Sequence, residues 1–448
     1  MQELRSVWLR LKEALLRGDA RGVGQGTGVL IRGTLLSQLI GALAIPVLTR
    51  LYLPEHFGQL ALFVSLVSVF SIVAALKYEL AIPLTDTDQQ AAGVLLVALI
   101  VLGGVVGLGL VILATPAFSV VRWLGGTDLA AAAWVFPLGV MLVGGFEILR
   151  MWTIRQRRFR RLSIAIAAQG LGVALGQLAL APLIGGSLAL VYGYLGGRAI
   201  STVVLLVRND LLSSARGLGL KELAELARRF SRFPIFASPA GLLNSLGLEF
   251  PSLAVVSLFG TEVGGWFSLA RRVTALPVTL ISTNAAQVYY SEAAALARTN
   301  RRELETLFIN LVGRLALVAA LPAAALLVAG PRLFDLVFGP EWTVAGGFAG
   351  SLSFMLVFQF AVAPVSQTLN LLERQTGQLA WDAVRLATAV LAFVVPAALA
   401  RPAGDAVLSY SLTMSLAYIL LFFLARRAIS GRAAPAGQDL DRVQDVLD

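Results

Sequence analysis

The sequence predicts an all-α integral membrane protein of about twelve transmembrane helices, arranged as two six-helix bundles related by a pseudo-twofold axis along the membrane normal. Three observations predict it. Apolar residues make up 57% of the 448 residues and charged ones only 14%, and the mean hydropathy is +0.80, well outside soluble usage. The chain breaks into about twelve apolar runs of roughly 20 residues, each long enough to cross a ~30 Å hydrocarbon core as a helix. The longest polar interruption, 208–232, leaves six runs on either side, and an even number of spans keeps both halves in the same orientation.

In chain order, residues 1–25 come first. Arg5, Arg10, Lys12 and Arg17 are interleaved with Leu4, Val7, Trp8, Leu11 and Leu15 at helical spacing. This pattern predicts an amphipathic helix on the cytoplasmic membrane face, because a signal peptide needs a compact apolar core and a cleavage site. The run "GVGQGTG" at 22–28 has no strand before it and leads into a span, so it reads as a hinge and not a nucleotide loop. The first bundle, 26–208, is expected to hold spans at 27–49, 58–84, 90–114, 128–149, 162–184 and 187–207. A cytoplasmic linker helix at 209–231 follows, in which Leu218, Leu223, Leu226 and Phe230 form one apolar stripe. The second bundle, 232–428, is expected to hold spans at 233–258, 263–290, 307–329, 344–371, 379–400 and 406–425, and 429–448 is a cytoplasmic tail. Pro46 to Gly58 and Pro251 to Gly264 each lead from a span through a short turn into the next, at an offset of 205 to 206 residues, as an internal repeat would. Pro46, Pro251, Pro277 and Pro364 are expected kinks.

Basic residues set the orientation. With the N-terminus inside, the cytoplasmic segments hold 25 of the 36 Lys and Arg, and the outer loops hold only Arg50, Arg122, Arg332 and Arg401. Basic loops resist translocation, so both termini are expected on the cytoplasmic side. The dense block "RQRRFRR" at 155–161 then reads as a topology anchor and not as a nucleic-acid site. The chain has no cysteine and a single histidine, His56, so disulfides are excluded and metal chemistry is not expected. The outer loops are short, the longest being about 14 residues at 115–127 or 330–343, and neither of these contains a histidine, which argues against a glycan polymerase or ligase.

Three stretches stand out: "LTRLYLPEHFGQLALF" with "LKYELAIPL", "RRVTALPVTLISTNAAQVYYSEAAALA" at 271–297, and "FGPEWTVAG" at 338–346. Together they resemble the polysaccharide (O-antigen, lipid-linked oligosaccharide) flippase family of bacterial inner membranes, a branch of the multidrug/oligosaccharidyl-lipid/polysaccharide exporter superfamily. The resemblance implies two bundles alternating between inward-open and outward-open states. It also implies that spans 1, 2, 7 and 8 line the cavity that carries an undecaprenyl-diphosphate-linked oligosaccharide across, in surface polysaccharide or lipopolysaccharide biosynthesis. Glycan polymerases or ligases and membrane lipids are the implied partners. No cofactor is expected, and the energy source is left open among proton, sodium ion and membrane potential.

Seven bases fall inside expected spans: Arg32, Lys77, Arg198, Arg271, Arg272, Arg314 and Arg385. A cation near the bilayer centre costs at least ~2.5 to 3.5 kcal/mol, so it is tolerated where it faces a polar cavity or a partner. Arg32, Lys77, Arg198, Arg271 and Arg272 are the expected head-group cations, since guanidinium suits a diphosphate bidentately and ammonium suits it as a point charge. Lys77 and Glu79 lie about 200° apart on a helix and are not expected to pair. Arg271 and Arg272 diverge by about 100°, so only one is expected to point into a cavity. Glu79 and Glu249 are the candidate counter-ions or coupling groups. Asp382 and Arg385 are expected to form a structural pair, Arg314 to snorkel, and Glu147 to sit at the interface. Gln38, Asn244, Asn284 and Gln287 are candidate sugar contacts. Seven span bases against Glu79, Glu147, Glu249 and Asp382 favour an anionic substrate over the second reading, a cation-coupled multidrug exporter.

Overall fold

A computed structural model describes residues 23–113, 134–207, 214, 217–277, 282–372 and 374–430. The expected surface helix at 1–22 and the tail from 431 lie outside the described residues. Within the described residues the ordered elements are helices: α1 (Val23–Leu51), α2 (Pro54–Ala74), α3 (Asp88–Leu113), α4 (Val135–Arg155), α5 (Phe159–Leu180) and α6 (Gly186–Leu206) in the first half. A short α7 (Leu220–Arg229) leads to α8 (Ser238–Phe259), α9 (Thr261–Pro277), α10 (Thr283–Thr299), α11 (Arg301–Phe338), α12 (Thr343–Val362), α13 (Thr368–Leu371), α14 (Gln375–Ala398) and α15 (Ala403–Ser430).

Eleven of the described segments are long and apolar enough to cross a membrane. The twelfth expected span, 263–290, includes residues outside the described ones, and its described parts are α9 and α10, of 17 residues each. The expected outer loop at 330–343 also shrinks, because α11 runs unbroken for 38 residues through Pro322 and Pro331 to Phe338.

The expected second span, 58–84, is cut short as well. The helix α2 ends at Ala74, and Leu76 and Lys77 both take left-handed backbone angles, with φ of 48° and 60°. A tight 3-10 turn, Tyr78–Leu84, then runs into the loop before α3. Left-handed geometry costs a non-glycine residue roughly 1–2 kcal/mol, so packing must hold the turn. It does so here: Ala81 and Ile82 are fully buried beside α3, and the Tyr78 hydroxyl donates to the Ala227 carbonyl of α7 at 3.1 Å. The stripe on α7 packs onto the same cluster, with Leu226 and Leu223 against Gly93 of α3.

Two kinds of contact position the site. Within the first half, α5 and α6 cross through a double small-residue motif, Gly172 and Gly176 facing Gly193 and Gly197. A Cβ added at Gly176 would lie 3.0 Å from the Gly193 Cα, so only glycine permits this approach. Between the halves, α2 packs on α8 and α9. Gly58 and Gly265 bring the first turns of α2 and α9 backbone to backbone, at the end opposite the basic loops. A Cβ at Gly58 would meet the Thr261 carbonyl, and one at Gly265 the Pro54 carbonyl. Around this crossing, fully buried Trp342 donates its indole N–H to the Thr49 carbonyl at 3.0 Å and meets Phe57 edge-on at 5.0 Å. The Tyr52 hydroxyl donates to the Gln177 carbonyl at 2.6 Å. His56 caps α2, accepting at Nδ1 from the Leu53 amide at 3.2 Å. Through Ile45, Leu48, Tyr52 and Phe57 the first half joins the hydrophobic core of the second, so the two halves are packed together at this end.

Candidate functional site: two cavities divided by one helix

Arg271 and Arg272 are neighbours on α9 and do diverge, but each reaches a cavity of its own. Arg272 lines a cavity of about 300 Å³ at the junction of the halves. Its other walls are Ser37, Gln38 and Gly41 of α1, Leu60 and Val64 of α2, Gln169 and Gln177 of α5, and Tyr194 of α6. The guanidinium sits close to Gly41, where an added Cβ would be 3.1 Å from Nη2. Arg198 reaches the same polar lining from behind. It donates from Nε to the Tyr194 hydroxyl at 3.2 Å and from Nη1 to Gln169 Oε1 at 3.4 Å, and its guanidinium lies 5.3 Å from the Tyr194 ring centre. A cation deep in α6 is thus held by an amide and a phenol, with no carboxylate within 4 Å among the described residues.

Arg271 points to the other side of α9, into a cavity of about 170 Å³ inside the second half, lined also by Arg385, Tyr410, Tyr418 and Gln359. It donates to Ser252 Oγ at 2.7 Å and to the Leu248 carbonyl at 2.9 Å. The expectation that only one of the two arginines could face a cavity assumed a single cavity.

The remaining expected site residues fall elsewhere. Arg32 is exposed on α1 and lines neither cavity. Lys77 also lies outside both, past the end of α2, with its Cε against Gly241 of α8. It pairs with Glu79 after all, Nζ to Oε1 at 3.5 Å, because the chain between them is a left-handed turn and not the helix that would have separated them. Glu79 is buried, and its Oε2 has no hydrogen-bond partner. Glu249 sits between the halves, its Oε2 accepting from Ser65 of α2 at 2.7 Å. Glu147 pairs with Arg150, Asp382 pairs with Arg385 at 3.5 Å, and Arg314 is exposed. Gln38 lines the larger cavity and Asn244 is exposed, while the side chains of Asn284 and Gln287 lie outside the described residues.

Sequence reasoning missed Gln169, Gln177, Tyr194, Tyr410 and Tyr418. Their only signal was an amide or phenol within a span, which structural roles produce equally well. Arg385 was read as paired, and so as accounted for, yet it both pairs with Asp382 and borders a cavity.

Among the described residues, helices throughout, eleven of them of membrane-spanning length, and cation-lined cavities at and beside the junction of the halves make the architecture of a multi-span membrane transporter. Solved structures share it. One described as the inward-facing conformation of a multidrug resistance MATE family transporter of the MOP superfamily has a TM-score of 0.68 at 16% identity, covering 90% of this chain and 98% of that one. The lipid II flippase MurJ, in an inward closed conformation, gives 0.68 at 12% identity over 88% and 86%. The chain belongs to the polysaccharide biosynthesis protein family, whose model matches residues 47–346. Among characterised relatives, the succinoglycan biosynthesis transport protein ExoT of Rhizobium meliloti (strain 1021) is 21% identical over 314 residues, 69% of this chain and 61% of that protein.

Proposed function

We propose that this protein moves a polyprenyl-diphosphate-linked oligosaccharide from the cytoplasmic to the outer leaflet of a bacterial inner membrane by alternating access. The observation that carries the reading is the cavity at the junction of the halves, where Arg272 and the Tyr194–Gln169–Arg198 group gather two cations with no carboxylate within 4 Å among the described residues. Such a site suits a diphosphate leaving water, and the amides of Gln38, Gln169 and Gln177 suit sugar hydroxyls. The cavity is far smaller than an oligosaccharide, so in this state it takes the head group only.

With the basic loops in the cytoplasm, the end where the halves pack together faces outward and the state is closed to the outside. Arg32, on the cytoplasmic part of α1, is the first cation an arriving head group meets, while Lys77 lies beside Gly241 of α8 and pairs with Glu79. Glu249, hydrogen-bonded across the two halves, is the carboxylate best placed to couple transport to a proton or cation.

The test is deletion in the native host, followed by locating the lipid-linked saccharide. Build-up on the cytoplasmic leaflet supports the reading. Unchanged surface glycan with new sensitivity to cationic drugs would instead establish the multidrug exporter. Arg272→Ala and Arg198→Ala should each weaken head-group binding by about 1.5 to 3 kcal/mol, roughly ten- to a hundredfold, in protein that still inserts. Arg314→Ala should have little effect.

A further inference from the structure

We infer that the second half carries a separate binding site for a small oxyanion, a carboxylate or phosphate group, held between Arg271 and Arg385. The cavity they share is enclosed by α8, α9, α12, α14 and α15, and α9 separates it from the larger cavity that Arg272 lines. It is rich in donors and poor in acceptors. Two guanidiniums, each with five N–H groups, are joined by the hydroxyls of Tyr410 and Tyr418 and the amide of Gln359.

The internal partners leave much of this capacity unused. Arg271 spends two donors on Ser252 and the Leu248 carbonyl, both uncharged, and no carboxylate lies within 4 Å of it among the described residues. Arg385 has a single 3.5 Å contact with Asp382, whose other oxygen accepts from Gln378 at 3.3 Å. Its guanidinium also lies 5.1 Å from the Trp381 ring centre. Two cations against one carboxylate leave a net positive charge inside a membrane-embedded bundle, where an unneutralised cation is costly. An anion taken from outside the protein removes that cost.

Size and shape set the class of ligand. About 170 Å³ is below the ~300–1,000 Å³ of sites for drug-sized ligands, so the site takes a single acid group with little attached. Planar guanidiniums select two-oxygen faces, which carboxylate and phosphate both present. Leu352, Met355, Leu386 and Met414 make the remaining wall apolar, which strengthens each charge-assisted bond. The ligand is either an acidic substituent of the transported glycan or a free anion from solution. The inference does not depend on the identity of the lipid carrier.

The experiment uses the full chain purified into nanodiscs of phosphatidylcholine, with binding followed by calorimetry. The probes are inorganic phosphate, glucuronate and, as the uncharged control, glucose. Phosphate, glucuronate or both should bind saturably and glucose should not. Arg385→Gln should weaken that binding by about ten- to a hundredfold, the scale of losing a charge-assisted contact, while Arg314→Gln, an exposed arginine that lines neither cavity, should leave it within a factor of two or so. Gly247→Leu changes no charge, and its side chain would grow toward Leu386, which a Cβ there already meets at 3.8 Å. It should weaken binding comparably, and it separates loss of the site from loss of charge. Glucuronate binding more tightly than phosphate assigns the site to an acidic sugar, and the reverse assigns it to a phosphate group. Binding abolished by Arg272→Gln but kept in Arg385→Gln, or no saturable binding of either acid, overturns the inference. Neither result bears on transport through the larger cavity, which Arg272→Ala and Arg198→Ala test separately.

Discussion

Gly58 and Gly265 make the end where the halves pack together a quantitative target. A Cβ built at Gly58 would stand 2.7 Å from the Thr261 carbonyl carbon and 2.9 Å from the Gly265 nitrogen, with the Thr261 oxygen closer still. Ordinary carbon contacts are about 3.5–4.0 Å, so α2 and α9 would have to part by roughly an ångström at a point where both partners are helix backbone. No rotamer change relieves that. Over-packing of this kind costs about 1–3 kcal/mol or more, and it is felt only while the two helices touch. A state in which this end has opened escapes it, so Gly58→Ala should shift the equilibrium toward opening by about 5- to 150-fold. The chain has no cysteine, so Leu60→Cys, in the wall of the larger cavity beyond the seal, provides a single reporter. Labelling of whole cells with an impermeant thiol reagent should accelerate accordingly in the Gly58→Ala background and in Gly265→Ala. Gly103→Ala, where an added Cβ meets nothing within 4 Å, should leave the rate unchanged. Unchanged labelling in a Gly58→Ala protein of normal yield would refute the idea that this glycine crossing is the outer seal.

Three further outcomes are expected. Glu79→Gln leaves Lys77 poorly solvated and without its counter-charge, and should cost about 3–5 kcal/mol of unfolding stability, much of it recovered in the Lys77→Gln, Glu79→Gln double variant; a cost below about 1 kcal/mol would show that the pair is not charged. Gly176→Val drives a branched side chain into Gly193 and should block assembly of α5 on α6, read as loss of folded protein in detergent, whereas Gly196→Ala, facing open space, should be neutral. Leu53→Cys on the α1–α2 turn should be labelled from outside intact cells and Leu220→Cys on α7 only after permeabilisation, both being exposed; the opposite pattern would reverse the orientation.

What the sequence determined by itself was whatever follows from local composition. Twenty apolar residues in a row must form a helix in lipid because no water is present to satisfy their backbone groups, so the helical class and most of the spans were readable from hydropathy. The stripe on α7 was legible for the same reason, since its period is local. The family resemblance was carried by motifs whose purpose only the structure explains. "LTRLYLPEHFGQLALF" and "FGPEWTVAG", almost 300 residues apart, meet where Trp342 bonds the Thr49 carbonyl and packs on Phe57.

Tertiary structure decided everything that depends on which helix faces which. A helix continued through Lys77 and Glu79 puts them on opposite faces. The packing of Ala81, Ile82 and Tyr78 against α3 and α7 stabilises a left-handed turn there, and no local propensity announces it. The divergence of Arg271 and Arg272 is legible in the sequence, since 100° per residue is a property of the helix itself. That α9 stands between two cavities, so that both directions lead to polar space, comes from the placement of α1, α5, α12 and α14 around it, and the contacts that fix those positions are made between residues far apart in the chain.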